Sequence, residues 1–136
     1  MGKLKAALDT FNSLTGRSGR HNRALRDVTD WAGTIQEFLA RYNLHEGSTD
    51  FDSILENIGK AKFDLTTITY RTRKTIKTAK NVKGTSILPL IEEILHNLEH
   101  IRRALINPAL GSAVIMKLIP ELCKSFGKLQ DAISDI

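Results

Sequence analysis

The feature that most constrains this chain is the spacing of its apolar residues, which recur in alternating steps of three and four over most of its length. Leu25, Val28, Trp31, Ile35, Phe38, Leu39 and Tyr42 make one such seam, and strands, with their period of two, do not produce it. The spacing predicts a helix over 22–42, which Gly33 weakens without interrupting, with Asn22 as its cap. A second seam runs through Ile54, Leu55, Ile58, Leu65, Ile68, Thr72, Ile76 and Ala79 and predicts one long helix over 50–82. Gly59 is a candidate break near its start, and the β-branched stretch Leu65–Thr72 would also suit a strand, but a lone strand would lack a partner. Gly84 and Pro89 bound a turn, and Ile91, Ile94, Leu95, Leu98, Ile101 and Leu105 then mark a helix ending at Asn107-Pro108. The last helix is expected from near Gly111 through Val114, Leu118, Leu122, Phe126, Leu129 and Ile133, kinked at Pro120.

Ahead of these, Leu4, Leu8, Phe11 and Leu14 give residues 3–14 a short amphipathic pattern, and Gly16 and Gly19 end it in a loop rich in Gly and Arg. The expected fold class is therefore all-α: a four-helix bundle over 22–136, preceded by a short N-terminal helix or arm and a basic loop over 1–21. At 136 residues this is the size of one domain that buries its core without disulfides or metals. The lone Cys123 cannot close an internal disulfide, so a non-oxidising compartment is expected, and its place on an apolar seam predicts a packed thiol. No apolar run near the start is long enough for a secretory signal, and Ala109–Ile119 falls well short of the roughly 20 residues of a bilayer span. Ala6 stands where a myristoylation signal favours Ser or Thr.

Catalytic and metal signatures are weak. His96 and His100 stand four apart behind Glu92 and Glu93, but Glu93-x-x-His96 is a single motif where a di-metal bundle needs two together with further Glu residues. There is no Gly-x-Ser-x-Gly turn, phosphate loop or dinucleotide fingerprint. No cofactor, metal, small-molecule substrate or enzymatic activity is expected.

Charge is the informative property. The net charge of +5 is unevenly spread: residues 60–84 hold eight Lys or Arg against Asp64 alone, residues 1–24 hold five against one Asp, and residues 25–58 are net acidic. Projected at about 100° per residue, Lys60, Arg71, Lys74 and Lys77 oppose the long helix's seam, Arg73 and Lys80 lie at the margin, and Phe63 and Tyr70 point outward among them. Long charged side chains also serve simply to solvate an outer face, but a face built for solubility usually mixes signs. Cations interleaved with aromatics suit phosphates and unstacked bases, and equally an anionic membrane. The expected site is thus Lys60, Phe63, Tyr70, Arg71, Arg73, Lys74, Lys77 and Lys80, with Arg17, Arg20 and Arg23 as a second, arm-like patch. The expected function is non-enzymatic binding or assembly on a polyanion, nucleic acid ahead of membrane, as in a nucleoprotein or coat subunit with homo-oligomerisation. The membrane alternative would insert residues 3–14 or 109–119, and a scaffold that binds only protein is the third reading.

Overall fold

The computed structural model describes residues 19–47, 50–82 and 86–136, so the expected helix over 3–14, Arg17 and Gly84 lie outside the described residues. Five helices pack together, with no strand among the described residues: α1 Gly19–Arg41, α2 Phe51–Lys60, α3 Lys62–Ala79, α4 Ile87–Ile106 and α5 Pro108–Ser134. The Leu65–Thr72 stretch is helical. The most extensive packing is α4 on α5, followed by α3 on α4 and α1 on α3, with α2 lying chiefly on α5.

Helix α1 begins earlier than its seam announces. Gly19, Arg20 and His21 belong to it rather than to a loop, and Asn22 is not a cap but a buried residue inside the helix, so the expected 21/22 boundary is displaced. His21 and Asn22 lie with Ala24 and Leu25 on the inward face of this earlier start. At the other end Asn43 takes φ 52°, Asn43 N–H donates to the Ala40 carbonyl and Leu44 N–H to the Leu39 carbonyl at 2.8 Å. Those are the two reversed bonds of a Schellman stop, with Asn tolerating the left-handed position and Leu44 buried beside Leu39.

The single helix expected over 50–82 is two helices. Asp50 caps α2 by accepting from the Ser53 N–H at 3.2 Å, and the helix closes at Ala61, whose N–H reaches back only three residues to the Ile58 carbonyl at 3.1 Å. Leu65 N–H then donates to the Ala61 carbonyl, and α3 proceeds. The break is at Ala61 rather than Gly59 because of what each half has to cover. An unbroken helix from Phe51 to Ala79 would run about 43 Å, beyond the about 30 Å of α4, and Ile54 and Ile58 would overhang instead of packing with α2 on α5.

Three threonines on the buried side of α3 show how polar residues enter the core. The hydroxyls of Thr69, Thr72 and Thr75 donate to the carbonyls four residues back, Leu65, Ile68 and Arg71, at 2.7, 2.7 and 3.0 Å. Thr72 Oγ1 also accepts from Trp31 Nε1 at 2.8 Å, and this buried bond sets α1 against α3.

Helix α4 starts before Pro89, which occupies the first turn, where an N–H has no helical partner to lose. Helix α5 starts at Pro108 rather than Gly111, leaving Asn107 as the one residue between the two helices. Gly111 is there for closeness: a Cβ on it would stand 2.4 Å from the Ala104 carbonyl oxygen. Pro120 lies inside α5 without ending it.

Candidate functional site

The outward side of α3 is fixed by its two neighbours. Trp31 to Thr72 and Arg41 to Asp64 show an antiparallel run with α1, and Arg73 to Glu99 with Lys62 and Leu65 beside Leu105 and Ile106 shows one with α4. Between those flanks stands a narrow crest. Phe63 is 80% exposed and Tyr70 58%, and Lys74 and Lys77 continue the same line toward the helix end. Lys74 Nζ lies 4.8 Å from the centre of the Tyr70 ring, so the ammonium rests on the aromatic face. Thr66 and Thr67 beside them turn their hydroxyls onto the Lys62 and Phe63 carbonyls, which leaves the outer surface to the rings and ammonium groups.

The other expected site residues sort into separate places. Arg71 leans toward α1, into a hollow shared with Glu37, Arg41 and Asp64. Arg73 leans toward α4, where its Nη2 lies 3.4 Å from Glu99 Oε2, an oxygen that also faces Arg103 at 3.7 Å. Lys60 is not part of the crest: it ends α2, beyond the Ala61 break, and pairs with Glu56 at 3.2 Å. Lys80 is exposed at the C-terminal cap of α3. Arg20 and Arg23 are exposed on a formed helix, not on an arm, and share the outer side of α1 with Asp27, Asp30 and Glu37. The antiparallel run nevertheless carries them to the end of α3 that holds Lys80. Arg71, Lys74, Lys77 and Lys80 make no ion pair with a described acid.

The one acid of the helix is spent locally. Asp64 Oδ2 accepts from the Tyr42 hydroxyl and lies 3.1 Å from Arg41 Nη1. The Tyr42 hydrogen bond and then Arg41 hold the Asp64 carboxyl below its ordinary range against the opposing effect of desolvation, and the same hydrogen bond raises the Tyr42 phenol. Asp64 therefore stays anionic and engaged with α1.

Sequence reasoning missed Lys62, Arg102 and Arg103. With Arg73 they line a groove of about 390 Å³ between α3 and α4, floored by Leu65 and Leu105, in which Glu99 is the only acid. The signal was present in the adjacent pair Arg102-Arg103, but only the α3–α4 packing places it opposite Lys62. On the far side of α4, Glu93 accepts from Ser125 Oγ at 2.9 Å, and the His96 and His100 rings lie 4.2 Å apart. Among the described residues no group of three or more His, Cys, Asp or Glu side chains is arranged to hold a metal ion. Cys123 is half-buried, its thiol pushed up to about 11 by burial and secondarily by the Glu46 carboxylate. Comparison with protein-family models, with curated proteins and with solved structures finds no match to this chain.

Proposed function

We propose that this is a non-enzymatic helical protein that binds a polyanion along the crest of α3, with nucleic acid as the ligand. The observation that carries the reading is the line Phe63, Tyr70, Lys74, Lys77, in which two exposed aromatic rings are followed by two cations that no described acid neutralises. From Phe63 to Lys77 the line extends about 21 Å along the helix axis. A single file of that length suits a strand laid along it, the ammonium groups replacing counterions at phosphates and the rings stacking on bases. Arg71 and Arg73 on the two flanks, and Lys80 with Arg20 and Arg23 at the end, extend the positive field without stacking. Many copies along one strand would make a coat or nucleoprotein of it.

The test is fluorescence anisotropy with single-stranded and duplex oligonucleotides over a salt series. Three or four phosphate contacts on a single strand predict a slope of log K against log salt of about −2 to −3. Tyr70→Ala should weaken binding about 5- to 100-fold through lost stacking, and Lys74→Glu with Lys77→Glu should abolish it. Salt-independent binding, or binding that survives the double reversal, refutes the assignment to this face.

A further inference from the structure

At the vertex where α4 passes into α5, aliphatic side chains face outward with no described part of the chain over them. Ile106, the last residue of α4, is 84% exposed, Leu110 in the first turn of α5 is 81% exposed, and Val114 one turn on is 44% exposed. They sit on helix ends held rigidly together, because Asn107 alone separates the helices and Gly111 lets them approach closely. The apolar segment 109–119 has otherwise spent itself on the core: Ile115, Leu118 and Ile119 are buried.

Cations border this apolar tip. Ile106 shares its groove with Lys62, Arg73, Arg102 and Arg103 against the single carboxylate of Glu99. On the other side of α4 a hollow of about 300 Å³ is lined by Leu110, Val114, Asn107 and the same Arg103. Arg103 thus joins the two hollows, and the exposed aliphatic residues lie beside a net positive rim.

We propose that this vertex docks on an anionic lipid surface, with Ile106 and Leu110 entering the acyl boundary and Lys62, Arg102 and Arg103 resting at the headgroups. The chemistry discriminates among occupants. Aliphatic side chains neither neutralise phosphates nor stack on bases, so a nucleic acid would leave Ile106 and Leu110 unused. A second copy meeting this one through the same patch would bring each cationic rim against its own like, because a two-fold contact is self-complementary. An acidic bilayer satisfies both halves of the patch, the apolar tip by burial and the rim by its negative surface potential. No described helix is long and apolar enough to cross a membrane, so the contact is one of docking from one side. This surface shares only the flanking Arg73 with the α3 face, and neither Tyr70, Lys74 nor Lys77 contributes to it.

The experiment is co-sedimentation of the full chain with phosphatidylcholine vesicles and with vesicles containing about one third phosphatidylserine, at low and high salt. The wild type should sediment with the acidic vesicles and much less with the neutral ones. Ile106→Ser with Leu110→Ser should lower the partition coefficient about tenfold or more at every salt concentration, and Arg102→Glu with Arg103→Glu should remove the preference for acidic lipid. These positions are exposed or half-exposed, and thermal melts by circular dichroism confirm that each variant folds. Oligonucleotide binding should be unchanged in Ile106→Ser with Leu110→Ser, which keeps this docking distinct from the α3 reading. Failure to sediment with either vesicle overturns the proposal, as does undiminished sedimentation of that double variant. Loss of lipid binding in Lys74→Glu with Lys77→Glu alone would move the lipid to the crest. A lipid-free oligomer that falls apart on serine substitution would assign the tip to a second copy, against the proposal.

Discussion

Replacing Thr72 by valine tests the bond that sets α1 against α3 and hence which side of α3 faces outward. Trp31 is fully buried and the acceptor found for its Nε1–H is Thr72 Oγ1, at 2.8 Å. Valine keeps the β-branched shape, and the Ile68 carbonyl loses the hydroxyl but keeps its main-chain helical partner. What remains is a buried indole N–H without an acceptor, which costs about 1–3 kcal/mol. The methyl that replaces the hydroxyl returns about 0.8 kcal/mol, so the net loss is about 0.2–2.2 kcal/mol. With a urea m value of about 1.5–2 kcal/mol/M, the midpoint should fall by about 0.1–1.5 M. Trp31→Phe removes the donor itself, though it also opens space, and on that background Thr72→Val should cost little or nothing. The coupling in the four-member cycle, followed by far-UV circular dichroism because Trp31 is the only tryptophan, should be about 0.2–2.2 kcal/mol. Equal cost of Thr72→Val on both backgrounds would show that the hydrogen bond does not link the helices.

Two glycines should respond oppositely to alanine. Gly33→Ala, with nothing within 4 Å of the new Cβ, should stabilise by about 0.5–1 kcal/mol, whereas Gly111→Ala should destabilise by about 1–3 kcal/mol because Ala104 backbone atoms occupy the space. Thermal melts of the pair check both signs. Cys123 ionises near 9 when unfolded and at about 11 when folded, so its neutral thiol contributes stability that is complete below pH 9 and lost as pH rises through about 11. Iodoacetamide labelling at pH 9 should accordingly be about fifty-fold slower in the native chain than in urea, and equal rates would contradict the burial.

Where a residue's environment follows from its own helix, the sequence was readable. The outward placement of Phe63 and Tyr70 and the inward placement of Trp31 both follow from a period of 3.6 residues. The Ala61 break was not readable, because Ile54, Ile58, Ala61 and Leu65 stay in phase across it and no proline marks it. The bend exists because α2 and α3 have different partners, and partner identity is a tertiary fact. The same holds for the site. Lys60 was assigned to a face it leaves at the bend, Arg73 to the margin of that face with no partner although Glu99 meets it, and Arg20 to an arm although it lies in α1. Lys62 and Arg103, far apart in sequence, become neighbours only through antiparallel packing.

The one-residue connection at Asn107 also has a bearing on how the chain folds. It makes α4 and α5 sequence neighbours as well as the most extensively packed pair, so among the described helices the largest interface is closed across a single residue and loses little chain entropy. Folding should nucleate in this hairpin, with high φ-values at Ile101, Leu105 and Ile115. Helix α2 offers only Ile54 and Ile58 as buried residues, and it should form last and open first, its amides exchanging with deuterium well before those of α4.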